Sequence, residues 1–193
     1  MTSATLANAV LRQAGRFVGL REVKPNADWD NPATAGPDRL LVEELRSLMR
    51  SSPWEPGWAY CAAFCEGMVL GALRSLSATP EQIKRWQSSM TPHCVTSAGN
   101  FRRLGLLSAS AVPGAIWLAK HGSTTNGHAG IVTTVQGMVM STIEGNTSLD
   151  PSSPAREREG DWITNRIRAT KGSGSLVTLG FVTPEAILKT IGP

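Results

Sequence analysis

The stretch GWAYCAAFCEGMV, Gly57 to Val69, decides how this 193-residue chain is read. Pro56 and Gly57 break whatever precedes it, and Cys61, Cys65, Met68, Val69 and Ala72 then recur at i, i+4, i+7, i+8 and i+11. That spacing predicts a helix with one apolar face, opening at Cys61. A thiol at that point lies beside N–H groups without intrahelical partners and at the positive end of the helix dipole, which favours its thiolate. A cysteine on a helix face is more often a small buried hydrophobe, and Cys65, one turn on, keeps that reading. Cys61 departs from it only if the chain supplies a base.

Working outward, Leu6, Val10, Leu11, Ala14 and Phe17 repeat at helical spacing from about Thr5 to Val18, and Gly19 closes that helix. NADWDNPATAGP, ending at Pro37, is a loop by its turn chemistry. A second helix follows Pro37, with Leu41, Leu45 and Leu48 as its stripe, widened by Leu40, up to the break at Ser51, Ser52 and Pro53. On the other side, the Cys61 helix runs to about Ser77. Thr79 as N-cap and Pro80 at the first helical position start a short helix, and another covers about Val95 to Leu104.

The rhythm changes at Pro113-Gly114. Ala115–Leu118, His128–Val135, Met138–Glu144, Trp162–Arg168 and Leu176–Val182 are rich in β-branched residues and read as strands, with Gln136-Gly137 turning the second into the third. Gly145 to Gly160 is a long polar loop, Lys171–Ser175 a flexible turn, and a short helix follows Pro184. Helices first and antiparallel strands afterwards predict an α+β fold, organised as one domain over residues 1–193.

Composition narrows the function classes. Three cysteines without paired spacings give no disulfide framework and fit a reducing compartment of synthesis. The N-terminus lacks the apolar block of a secretory signal, and no run of about 18 apolar residues could span a bilayer. The expectation is a monomer made in the cytoplasm, without membrane insertion. The net charge of +4 favours anionic surfaces. The basic residues, among them Arg102, Arg103, Arg156, Arg158, Arg166, Arg168 and Lys171, form loose groups without a nucleic-acid motif and read as solvated faces. Asn26, Asp28 and Asp30 alternate like the first ligands of a calcium loop, but Asn31 stands where Gly is needed and Pro37 where the bidentate Glu belongs. Cys61, Cys65, His93 and Cys94 lack the two-residue spacer of a zinc site. No cofactor is expected.

The base is offered by HAGIVTTV, in which His128, Gly130 and Val132 share one strand face. Glu144 and Asn146 end the next strand, STIEGNT. With the turn at Gln136-Gly137, positions summing to about 272 or 273 pair, which sets Glu144 across from His128. A thiol, an imidazole that takes its proton and a third group that orients the imidazole are the parts of nucleophilic catalysis. Glu144 or Asn146 can be that third group. Tyr60, Trp58 and Trp117 are candidates for lining the cleft, although aromatic residues more often fill a core.

Together YCAAF around Cys61, GHAGIV around His128 and TIEGNT around Glu144 resemble, in order and spacing, the three motifs of the CHAP family, the cysteine, histidine-dependent amidohydrolases and peptidases. LREV at Leu20–Val23 resembles the opening of that family in phage and bacterial lysins, and Pro113-Gly114 the turn into its sheet. The resemblance implies a papain-like fold with the cysteine helix packed on a small antiparallel sheet. It implies Cys61 as nucleophile, His128 as general base and acid, Glu144 as the group orienting His128, and Asn146 polarising or orienting the same ring. It further implies hydrolysis of peptidoglycan amides, between stem-peptide residues or between muramic acid and L-alanine, as in a phage endolysin reaching the wall by holin-type release. Ala115, Ile116 and Trp117 replace the acidic residue usual after the Pro-Gly turn, and the Asn26–Pro37 loop is longer than usual. The alternatives are a non-catalytic wall-binding or virion structural module, and an amidase effector toxin.

Overall fold

The structure, a computed structural model, describes residues 1–21, 39–49, 59–148, 160 and 162–192. Among these, five helices come first: α1 (Ser3–Gly15), α2 (Arg39–Leu48), α3 (Cys61–Ser75), α4 (Pro80–Ser89) and α5 (Cys94–Arg103). Six strands follow, β1 (Ile116–His121), β2 (Gly127–Gln136), β3 (Val139–Thr147), β4 (Trp162–Ala169), β5 (Gly172–Ser173) and β6 (Leu176–Val182), and α6 (Pro184–Ile191) comes last. The strands form one antiparallel sheet in the order β4-β3-β2-β1-β6-β5. The fold is α+β, with the switch from helix to strand where the sequence changes rhythm. Among the described residues no helix is long and apolar enough to cross a membrane.

The helix α3 opens at Cys61, where the sequence places its start, but it is not one-faced. Every residue from Cys61 to Leu73 is buried, because α1, α2 and α4 surround it and the β2–β3 hairpin closes the remaining side. Its small residues, Ala62, Ala63, Gly67, Gly71 and Ala72, allow this close approach. A buried helix holds its first residue rigidly. In α2 the buried stripe is Val42, Leu45 and Leu48. Leu40, expected to widen it, is 78% exposed, since the helix docks one position round from the predicted face.

Alternation divides the sheet. Ile116, Leu118, Ala129, Ile131, Ile143 and Ile163 join the main core with the helices, whereas Trp117, Ala119, Val132, Met140 and Phe181 build a second, smaller cluster on the opposite face. The hairpin turns at Gly137-Met138, with Gly137 at φ +60° and Gln136 paired to Val139. This is one residue later than expected. A one-residue shift of the turn moves each cross-strand partner by two, and a bulge between Val132 and Thr134 takes one back. Ile131 therefore faces Ile143, and the strands part beyond that pair.

Strand β5 also differs from expectation. Two residues carry no periodicity, and Gly172-Ser173 was readable only as turn, yet it pairs with Val177 and Leu176 of β6. The loop at Asn26–Pro37, the break at Ser51–Pro53 and most of the Gly145–Gly160 loop lie outside the described residues.

Candidate active site

Three elements bring the predicted residues together. Cys61 is the first residue of α3, with Tyr60 as N-cap but without a capping side chain, so the first-turn N–H groups have no partners within the helix. His128 follows the opening residue of β2, and Glu144 lies on β3. All three are buried, Glu144 completely and His128 at 8% exposure.

The His128 Nε2 lies 2.7 Å from Oε2 of Glu144, and the imidazole is near enough to the Cys61 sulfur to lower its thiol. With Nε2 engaged by Glu144, Nδ1 is the ring nitrogen left to serve the sulfur. The carboxylate does not stand directly opposite the histidine as the predicted register required. It is beside Gly130 and reaches diagonally along the strand, over a position where a Cβ would come 2.7 Å from Glu144 Cγ. The glycine in GHAGIV is thus what lets the acid lie flat against β2 and meet the ring.

The parting of the strands also serves the sulfur. Val132 donates its N–H to Ala115 O and accepts from the Gly114 N–H, both at 2.8 Å, so the odd-numbered residues up to Ile131 direct their N–H groups toward β3. Beyond Ile131 no β3 partner is paired there, and the Ala129 N–H adds a small influence lowering the Cys61 thiol.

Sequence reasoning missed the residue that secures the acid. Arg168 of β4 donates Nε to Glu144 Oε1 at 2.8 Å and Nη2 to Oε2, and its guanidinium stacks 5.7 Å from the Trp117 ring centroid. Thr142 Oγ1 donates to Oε1 at 2.6 Å. Trp117 meets His128 edge-on at 6.1 Å and donates Nε1–H to Thr178. It forms the floor under the imidazole and does not line the cleft. Tyr60 is buried as well, and Trp58 lies outside the described residues.

These contacts set the charges. The Cys94 thiol, bonded to the Cys61 sulfur, is the largest influence lowering Cys61, and with the His128 imidazolium it outweighs burial, so the thiol falls well below its ordinary value. Burial opposes the His128 cation, but the Glu144 carboxylate and the Cys61 sulfur raise the imidazole to about 10. Burial likewise opposes the Glu144 anion, yet the Arg168 fork and His128 hold the carboxyl well below the usual range. These shifts favour a thiolate–imidazolium pair backed by a carboxylate–guanidinium pair.

This pair opens onto a cleft of about 620 Å³ whose walls include Cys61, Cys94, His121, His128, Asn146 and Arg168. Burial and the like charge of His128 push the His121 imidazole down, leaving it neutral beside a charged neighbour. Asn146 reaches this cleft but does not orient the imidazole by its Oδ1, which is buried without a hydrogen-bond partner among the described residues. Asn146 sits at φ +55° where the β3–β4 register shifts, and Glu144 already occupies Nε2. His93 caps α5 through Nδ1, and among the described residues no group of three or more ligating side chains could hold a metal ion. The Asn26–Asp30 segment lies outside them. Compared with known proteins, the chain matches no family model, no curated protein and no solved structure.

Proposed function

We infer that the protein is a cysteine-dependent amide hydrolase acting on peptidoglycan, with Cys61 as nucleophile, His128 as general acid and base and Glu144 as the group orienting His128. One observation carries this reading: the His128 imidazole, held by Glu144 at 2.7 Å, shares the wall of an open cleft with the Cys61 sulfur whose thiol it lowers. Structural cysteines and histidines have no need of such a pairing, whereas acyl transfer does. The likeness of YCAAF, GHAGIV and TIEGNT to the CHAP motifs supplies the substrate class and, with α3 packed against an antiparallel sheet, a papain-like arrangement.

In this reaction the Cys61 thiolate attacks an amide carbonyl, and the N–H groups of the first turn of α3 face the developing oxyanion. The His128 imidazolium gives its proton to the departing amine. As a neutral base it then takes a proton from the water that cleaves the thioester. Glu144 keeps the ring turned toward the sulfur through both halves. Delivery from the cytoplasm to the wall, by holin-type release or another route, completes the reading.

The test is mass spectrometry of muropeptides after digestion of purified wall. New free amines on stem residues mark an endopeptidase, and freed L-alanine termini mark an amidase. Cys61→Ala is expected to lower cleavage by about a thousandfold or more with the melting temperature unchanged. Retention on the wall without cleavage, equal in wild type and Cys61→Ala, would replace this reading with a binding module.

A further inference from the structure

The catalytic reading leaves one reactive group of the cleft unused. Cys94 opens α5 as Cys61 opens α3, and the two sulfurs lie 3.9 Å apart. Both belong to the wall of the same cleft. Cys94 is pressed against β2 at Gly127, where a Cβ would come 2.7 Å from Cys94 Cβ. The residue before His128 thus leaves room for a second thiol close to the first. Two thiols held this near are within reach of a disulfide once each side chain rotates slightly.

We propose that Cys61 and Cys94 form a reversible disulfide on exposure to a low-molecular-weight disulfide such as oxidised glutathione, and that this modification switches off the nucleophile. The inference rests on the proposed function for its consequence, not for its chemistry. In the first step the Cys61 thiolate attacks one sulfur of the small disulfide, a Cys61 mixed disulfide forms, and one glutathione thiolate leaves and takes the proton of the His128 imidazolium. In the second step Cys94 attacks the Cys61 sulfur, the S–S bond between them forms, and a second glutathione leaves with the Cys94 proton. Two protein thiols are oxidised and one small disulfide is reduced to two thiols.

The assignment of roles follows from the surroundings. Cys61, at the start of α3 with the Cys94 sulfur 3.9 Å away and its thiol lowered by Cys94 and His128, is the attacking thiolate. Cys94 keeps its proton beside that anion and acts only by nearness. Cys65, one turn along α3, is wholly buried, its thiol pushed up by burial and the neighbouring Cys61 charge. It stays out of the exchange.

The experiment equilibrates the protein in mixtures of reduced and oxidised glutathione, traps free thiols with N-ethylmaleimide in denaturant, and maps peptides without reduction. Expected is a species lighter by two hydrogens, with the Cys61 and Cys94 peptides joined, Cys65 alkylated, and both thiols recovered with dithiothreitol. Cys94→Ser under the same treatment stops at a glutathione adduct on Cys61. A persistent adduct on wild-type Cys61, a link to Cys65, or three alkylated thiols throughout would overturn the proposal. Wall cleavage is measured in parallel, and the joined form is expected to lose it until reduced. The joined peptide with no wall cleavage even after reduction refutes the proposed function alone, and cleavage that persists without a joined peptide refutes this inference alone.

Discussion

At the scale of single residues, Arg168 shows what the amino-acid string conceals. Cys61, His128 and Glu144 were legible because each lies in a short distinctive run, and local periodicity places each on its element. Arg168 reads as a solvated base because its partner is 24 residues away in sequence, across a loop whose length hides the β3–β4 register. Only the pairing of Met140 with Arg168 and Thr142 with Arg166 puts the guanidinium on the acid's face. Removing it leaves Glu144 buried with His128 as its remaining cationic partner in the site. Arg168→Ala is expected to cost about 3 kcal/mol of stability by urea unfolding. With His128 left as the cation facing the Glu144 carboxylate, the imidazolium, already raised to about 10, is held still more firmly, so the alkaline limb of the pH–rate profile moves to higher pH. Arg168→Lys should restore part of both, keeping the charge but losing the fork. An unchanged profile in Arg168→Ala would show that the guanidinium does not tune the pair.

Among the elements, those specified by neighbours in sequence were the most readable. In α4, Thr79 accepts from the Gln82 N–H while the Gln82 side chain accepts from the Thr79 N–H, a capping box with Pro80 at the first helical position. Four consecutive residues hold the whole signal. Thr79→Ala is expected to cost about 1 kcal/mol, measured as a lower thermal midpoint, with wall cleavage unaffected. The β2–β3 hairpin was less readable, because either Gln136-Gly137 or Gly137-Met138 can place glycine in the turn. The bulge at Thr133 has no mark in the sequence at all. Leu40 was misread for a similar reason, since its exposure depends on how α2 docks and not on its own spacing.

For the whole molecule, the α+β class was legible because the hydrophobic period changes from helical to strand-like at Pro113-Gly114. The strand order was not, because nothing local announces that β6 lies beside β1. The buried charge at the centre of this arrangement gives a pH signature for the fold itself. Glu144 is held well below its ordinary value of 4.5. The stability it contributes is therefore complete above that value and is lost as pH falls below it. Glu44, paired with Arg16, adds a smaller effect of the same sign at a more exposed site. Urea midpoints should hold steady from about pH 7 to 5 and fall steeply below about pH 4, more gently in Glu144→Gln. A midpoint indifferent to acid would mean that the carboxylate is not charged in the folded state.

Strand β1 lies between β2, its sequence neighbour, and β6, which begins only at Leu176. On a ribosome, Ile116 emerges long before the Val182 it will pair with, and one edge of β1 stays open meanwhile. The nascent chain can assemble its helices early, but the sheet that carries His128 matures only when synthesis is nearly past it. Under the proposed function, the Cys61–His128 pair would be seated in a complete sheet only after the chain has been made past Val182.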